Sequence, residues 1–146
     1  MDEAKLRQRL RGLMETQRLA VVATIGKGAP YTSLVAFAST TDLKKLVFAT
    51  LRSTSKYKNL KKDPQVSVLV DDRGNSPSDI VSAVTVSAIG KAFEPKSGRK
   101  GLERLFLDKH PYLADFVASP DCALICVRPE KYLFVSRFQD VAIITP

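Results

Sequence analysis

The sequence predicts a mainly β fold with flanking helices (α+β), organised as a small barrel. Six or seven segments rich in valine, isoleucine and other β formers recur along the chain. Short turns join the early segments, whereas helical patterns interrupt the later ones, and this order favours a barrel over a parallel doubly wound sheet. A chain of 146 residues can bury a core of its own, so we expect one domain over residues 1–146.

The first half of the chain begins with a helix and continues with hairpins. Apolar residues at helical spacing predict an amphipathic helix within residues 1–17, with a stripe of Leu6, Leu10, Leu13 and Met14. The barrel region, residues 18–146, follows this helix. Strands are predicted over 19–25, 31–39, 45–50 and 65–71, separated by turn formers that are typical of hairpins in the first two connections.

A basic segment lies between the third and fourth strands. Seven Lys and Arg residues and no Asp or Glu occur from Lys44 to Lys62. A short helix is predicted near 54–62, and Asp63-Pro64 ends it. Cations, hydroxyls and free backbone N–H groups would converge where this helix begins, at Arg52, Ser53, Thr54, Ser55 and Lys56. Such a point suits a phosphate, although an ordinary capped helix with a solvated basic face explains the same pattern.

The second half predicts one long strand, a helical region and a β-rich end. Turn formers over 72–79 indicate a mobile loop, and Ile80–Phe93 reads as a fifth strand in which Gly90 marks a bulge or bend. Helices are expected near 96–118. The closing β segments are predicted over 123–127, 132–136 and 141–144.

Composition excludes several functional classes. A net charge of +8 invites nucleic-acid binding, but acids are interspersed in two of three basic clusters and no finger, RGG tract or aromatic-studded RNA-binding strand occurs. We therefore expect no nucleic-acid partner. The chain lacks an apolar run of about 20 residues and a signal-peptide core, so we expect a cytoplasmic protein without membrane contact.

The chain has only two cysteines and one histidine, which disfavours a metal site and a catalytic triad. Cys122 and Cys126 are four apart in an extended run, too far apart to bond, and are expected to be buried thiols. His110 is the sole histidine, which argues against an independent acid–base site. We predict no metal ligand and identify no catalytic residue.

Two motifs carry a resemblance to a known family. The pattern LVFAT-x(5)-K-x(2)-NLxxDPxVS and the later V-x-x-IGKA follow the strands LAVVATIG and PYTSLVAFA. In this order and spacing the chain resembles the pyridoxamine 5′-phosphate oxidase-like superfamily, whose members are FMN-binding split barrels. The resemblance implies a six-stranded Greek-key split barrel and a homodimer that binds two FMN molecules in the cleft between subunits.

The resemblance also implies which residues hold the cofactor. The flavin ring would lie along the second strand, at Ser33, Leu34, Val35 and Ala36. The ribityl chain and phosphate would meet Ala49, Thr50, Ser53, Ser55 and Lys56, and Thr85 would offer a polar group near the ring. In the turn RFQD, Arg137 and Phe138 would cover the flavin from the partner subunit, or merely pack on the protein surface.

Departures from the family pattern narrow the expected function. Ser55 replaces an arginine that pairs with phosphate, Leu34 stands where a further arginine is common, and the C-terminal Arg-x-His is missing. Vitamin B6 oxidation is therefore disfavoured, and the expected function is that of an FMN-dependent oxidoreductase of a small-molecule substrate. The tail, from HP-x-LADFVASPDCALICV onward, resembles the haem-utilisation branch. The alternative is thus a haem- or flavin-binding carrier, in which His110 is either a ligand or a helix-capping residue.

Overall fold

The computed structural model describes residues 2–137 and 139–146 and begins with the predicted amphipathic helix. Helix α1 spans Glu3–Thr16. Asp2 caps it, because its carboxylate accepts a hydrogen bond from the Lys5 amide at 2.9 Å. The stripe of Leu10, Leu13 and Met14 is buried, as its spacing predicts.

Seven antiparallel strands form one sheet that closes on itself. They are β1 (Leu19–Gly26), β2 (Ala29–Ser39), β3 (Leu46–Leu51), β4 (Gln65–Asp71), β5 (Thr85–Phe93), β6 (Cys122–Ser136) and β7 (Asp140–Ile144). The strand order is β3-β2-β1-β4-β5-β6-β7, and an additional β3–β6 pairing closes the first six strands into a ring. The predicted small barrel is confirmed, and β7 extends it as a hairpin on β6.

Apolar side chains fill the inside of the ring. Val22, Val68 and Val86 come from three neighbouring strands and are 0–2% exposed. Tyr132 is also fully buried, and its hydroxyl donates a hydrogen bond to the Leu43 carbonyl at 2.6 Å. Burying each such side chain stabilises the fold by about 1.5–3 kcal/mol.

The helices lie at the ends and on one side of the barrel. They are α2 (Ser55–Lys62), α3 (Asp79–Ser82), α4 (Arg99–Lys109) and α5 (Ala114–Ala118), with a short 3-10 turn at Pro111–Leu113 between the last two. A second, smaller core lies outside the ring where α4 and α5 cover it, and it consists of Ala38, Val47, Phe106, Val117 and Leu124. No helix of residues 2–137 and 139–146 is long and apolar enough to cross a membrane.

The prediction of one strand over Ile80–Phe93 is wrong in its first residues. The segment Asp79–Ser82 is a helical turn, and the strand begins only at Thr85. Asp79 fixes the turn, because its carboxylate accepts hydrogen bonds from the amides of Gly74 and Ser76. Local hydrogen bonding therefore overrides the β-branched pattern of this segment.

The bulge predicted at Gly90 is confirmed, and it explains how β6 passes through a proline. The β5–β6 register shifts between Ile89 and Gly90, and Gly90 lies opposite Pro129. The two segments predicted over 123–127 and 132–136 are therefore one continuous strand. Pro129 is tolerated because the side of β6 away from β5 has no partner strand there: the β3 pairing ends at Val127 and the β7 pairing begins at Tyr132.

Candidate cofactor-binding site

Helix α2 begins directly after β3, where the sequence predicts a phosphate site. Thr54 is its N-cap, and the Thr54 hydroxyl accepts a hydrogen bond from the Tyr57 amide at 3.3 Å. The same hydroxyl lies 2.8 Å from the Leu51 carbonyl, to which it donates. These two bonds fix the point at which the chain leaves the barrel and turns into the helix.

Lys56 lies beside two threonine hydroxyls at this helix start. Its Nζ is 3.4 Å from Thr50 Oγ1, and Thr50 Oγ1 is 2.8 Å from Thr54 Oγ1. Burial lowers the pKa of the Lys56 ammonium. Within the described residues no ion pair joins Lys56 to a carboxylate, so no direct contact neutralises its partly desolvated charge. An anion bound here would relieve that cost.

Arg52 and Ser53, by contrast, are engaged by carboxylates of the same chain. Arg52 forms an ion pair with Glu94 at 2.6 Å, and the Tyr57 hydroxyl donates to the other Glu94 oxygen at 2.7 Å. Burial acts to raise the pKa of Glu94, but the hydrogen bonds from Arg52 and Tyr57 outweigh burial and lower it. Ser53 lies 3.4 Å from Asp121. The negative charge of Glu94 therefore disfavours a phosphate at Arg52 and leaves the Lys56 side of the helix start for it.

The four residues predicted along β2 divide between the two faces of the sheet. Val35 is 7% exposed and belongs to the barrel core, and Ser33 shares its face by strand alternation. Leu34 is 66% exposed on the outer face. Ala36, together with Ala49 of β3, packs at the margin of the outer core. A ring stacked on this strand would meet the side chains of Leu34, Ala36 and Ala49, and only the backbone of Val35.

Thr85 and Arg137 lie elsewhere on the barrel. Thr85 points outward from β5 and pairs with Val135, two residues before Arg137 in the β6–β7 turn. Strands β1 and β4 separate β5 from β2, which amounts to about 14 Å at three strand spacings. The predicted residues thus form two groups on one chain, one around β2, β3 and α2 and the other around β5 and the β6–β7 turn. Phe138 lies outside the described residues.

His110 is a buried capping residue. It is 0% exposed and forms the C-cap of α4. Its Nε2 donates to the Phe37 carbonyl at 2.7 Å, so Nδ1 is the acceptor for the Tyr112 hydroxyl at 3.0 Å. Burial lowers the pKa of the imidazole. Because both ring nitrogens are engaged, iron ligation would require this arrangement to break.

Sequence reasoning missed two features of this region. One is Glu94, which holds Arg52 and Tyr57; its signal is an acidic residue directly before Pro95 in a strongly basic chain. The other is a pair of exposed apolar areas on the outside of the barrel. Leu19 and Leu34 are 53% and 66% exposed on β1 and β2, and Val141 and Ile143 are 61% and 67% exposed on β7.

The fold and the site define a class of protein: a closed antiparallel split barrel with a lysine and two threonine hydroxyls clustered after its third strand. The family model described as pyridoxamine 5′-phosphate oxidase matches residues 6–136. The chain belongs to this family. A comparison with curated proteins finds no match.

Solved structures share the fold at low sequence identity. A haem-binding protein from Mycobacterium smegmatis has a TM-score of 0.83 at 17% identity; the match covers 95% of this chain and 57% of that protein. A Clostridium acetobutylicum protein related to general stress protein 26 has a TM-score of 0.77 at 20% identity, covering 99% and 96%. An FAD-binding protein from Mesorhizobium loti has a TM-score of 0.66 at 18% identity, covering 86% and 88%.

Proposed function

We propose that this protein is an FMN-binding flavoprotein that acts as an oxidoreductase of a small substrate. The observation that carries the proposal is Lys56, a partly buried cation beside the Thr50 hydroxyl at the start of α2, with no ion pair to a carboxylate among the described residues. Family membership and a structural neighbour that binds FAD support a flavin as the anion's source.

The described residues fit the two ends of FMN. The phosphate would bind Lys56 Nζ, the Ser55 hydroxyl and the free N–H groups of the first turn of α2. The isoalloxazine would lie on the apolar outer surface made by Leu34, Ala36 and Ala49. Bound FMN supplies hydride or electron transfer. The chain itself contributes binding, orientation and the exclusion of water.

We propose that a second copy completes the site. The group around Thr85 and Arg137 lies too far around the barrel from β2 to reach the same ring within one chain. In a two-fold dimer the Leu19 and Leu34 area of each copy would pack on the Val141 and Ile143 area of the other. Both apolar areas of both copies would then be buried. The same docking brings the two groups of predicted residues toward one cofactor.

A haem-binding carrier is the second candidate, and it is supported by the mycobacterial neighbour, which is described as a haem-binding protein. The arrangement of His110 favours flavin, because the imidazole of a haem ligand needs a free nitrogen and both are hydrogen-bonded here. A haem complex of this chain would have to use another ligand or rebuild the end of α4.

Replacing Lys56 tests the flavin proposal. Lys56→Met keeps the apolar stem and removes the charge, so FMN affinity should fall by about tenfold to a hundredfold, the value of one or two charge-assisted hydrogen bonds. Riboflavin, which lacks the phosphate, should bind the wild type and the variant equally. Lys58→Met removes an exposed lysine of the same helix and is the matched control. Flavin fluorescence quenching measures the affinity of the wild type and of both variants for FMN and for riboflavin.

Two results would contradict the proposal. In one, the wild type binds FMN no more tightly than riboflavin; in the other, Lys56→Met and Lys58→Met weaken FMN equally. Titration of the wild type with haemin decides the second candidate, since a saturable Soret shift without flavin binding would favour the carrier.

A further inference from the structure

A groove separates α4 from the outer surface of β5 and β6, beside Lys45, which directly precedes β3. Its volume is about 710 Å³, within the range of small-molecule sites. Cys126 and Phe93 line it from the sheet, and Leu102 and Leu105 line it from the helix. These four residues give the groove an apolar floor and an apolar helix wall, beside the charged residues that also line it.

Three cations lie side by side on the sheet, and two of them, Lys45 and Arg128, line this groove. Arg128 of β6 pairs directly with Lys91 of β5. On its other side, the pairing of Leu46 with Val127 places Lys45 beside Arg128. Like charges on directly opposite residues destabilise a sheet. A row of three on adjacent strands is thus unfavourable unless an anion shares it.

The surrounding acids do not neutralise these charges. Among the described residues no ion pair joins Lys45, Lys91, Lys96 or Arg128 to a carboxylate. Glu94, which also lines the groove, is paired with Arg52. Asp42 acts on Lys45 electrostatically, but its carboxylate accepts hydrogen bonds from Thr40 and the Lys44 amide.

Two of the cations converge on the apolar lining. The Arg128 guanidinium lies 4.7 Å above the centre of the Phe93 ring. Burial raises the pKa of the Cys126 thiol, and the charges of Lys45 and Arg128 act against this rise, so both lie within electrostatic range of the groove floor. Lys45 and Arg128 are therefore placed to contact the charged end of a ligand whose apolar part lies on Phe93 and Cys126.

Two glycines line the groove on the helix side, one of them, Gly98, at a left-handed φ of 80° that favours glycine. Gly98 and Gly101 line it, and a Cβ built on either meets no atom within 4 Å. A glycine inside a helix is less stable than alanine. Gly101 therefore makes α4 less stable than alanine would, and no neighbouring atom requires the absence of a side chain there.

We propose that this groove binds a small organic anion, a carboxylate on an apolar acyl or aryl body. The carboxylate would bind Arg128, Lys45 and Lys96, and the apolar body would lie between Phe93 and Leu102. This site is distinct from the Lys56 site, which lies at the other end of β3, and does not depend on flavin binding.

Octanoate and the neutral octanol are the probes, measured by titration calorimetry on the full chain. Octanoate should bind the wild type at least about tenfold more tightly than octanol, the value of one charge-assisted contact. Inorganic phosphate reports the cations without the apolar body. It should bind more weakly than octanoate.

Two variants separate the anion end from the apolar end. Arg128→Gln should weaken octanoate about tenfold, whereas Arg128→Lys should retain most of the affinity. Gly101→Leu fills the groove from the helix side and should abolish octanoate binding while raising the melting temperature. The matched control is Gly12→Leu, because Gly12 is also helical with open space around it but lies on α1.

The proposal is overturned if octanol binds as well as octanoate, or if octanoate does not bind the wild type. It is equally overturned if Arg128→Gln and Gly101→Leu both bind octanoate like Gly12→Leu. Should Gly101→Leu fail to fold, the comparison of Arg128→Gln with Arg128→Lys decides alone. FMN affinity should be the same in all of these variants, so failure here leaves the flavin proposal standing.

Discussion

Gly90→Ala should be among the most damaging single substitutions in the barrel. A Cβ at this position would lie 2.0 Å from the Arg128 carbonyl oxygen and 2.9 Å from Pro129 Cα. Both are backbone atoms of β6, so no side chain can rotate away. The strands must separate by about 1 Å to restore van der Waals contact, and this disrupts the bulge through which β5 and β6 stay paired.

We expect a loss of about 3–5 kcal/mol in the free energy of unfolding, the range of severe steric changes in a core. Urea denaturation followed by circular dichroism measures it, and Gly12→Ala is the control. That substitution places a methyl group in open space on α1 and should stabilise the protein by up to about 1 kcal/mol. A loss below about 1 kcal/mol for Gly90→Ala would refute the close approach of the two strands.

Two further predictions concern Lys109, a half-buried lysine at the end of α4, and the exposed apolar areas. Burial lowers the pKa of Lys109 from 10.5 to about 8, so between these values the unfolded chain binds more protons and stability should rise with pH, by about 1–2 kcal/mol after allowance for partial exposure. In the Lys109→Met variant this rise should be absent when the free energy of unfolding is measured by denaturation at several pH values in that range. If the free energy of unfolding of the variant rises with pH as steeply as that of the wild type, Lys109 is not the source of the rise. Leu34→Glu should convert a dimer into a particle of 16.1 kDa in light scattering, whereas Gly12→Glu should not. A wild-type monomer at micromolar concentration would contradict the dimer.

Much of the fold follows from local sequence patterns. The strands β1 to β4, the N-terminal helix and the bulge at Gly90 are encoded by alternation, helical spacing and one glycine. The start of β5 is not, because Ile80 and Val81 have strand propensity while Asp79 holds them in a turn through bonds to the preceding loop. Strand propensity is a property of a single residue, whereas this turn depends on hydrogen bonds between Asp79 and amides three and five positions earlier in the chain.

The candidate site divides in the same way. The convergence of Thr54 and Lys56 is local in sequence, so the pattern places it correctly at the start of α2. The engagement of Arg52 by Glu94 joins residues 42 positions apart, and no local pattern contains it. The cation row at Lys45, Lys91 and Arg128 likewise becomes visible only once strand register is known.

The passage of β6 through Pro129 has a consequence for the chain's C-terminal end. The pairing with β3 that closes the ring ends at Val127, so β7 pairs only with the second half of β6 and lies outside the ring of six strands. Insertions between β6 and β7 can therefore alter length, charge and partner contacts without shifting the shear of the barrel, whereas Ile144 of β7 is tied to the core. The connection between these two strands is thus the segment that closure of the barrel constrains least, and it is where the protein can change its surface contacts at the lowest cost in stability.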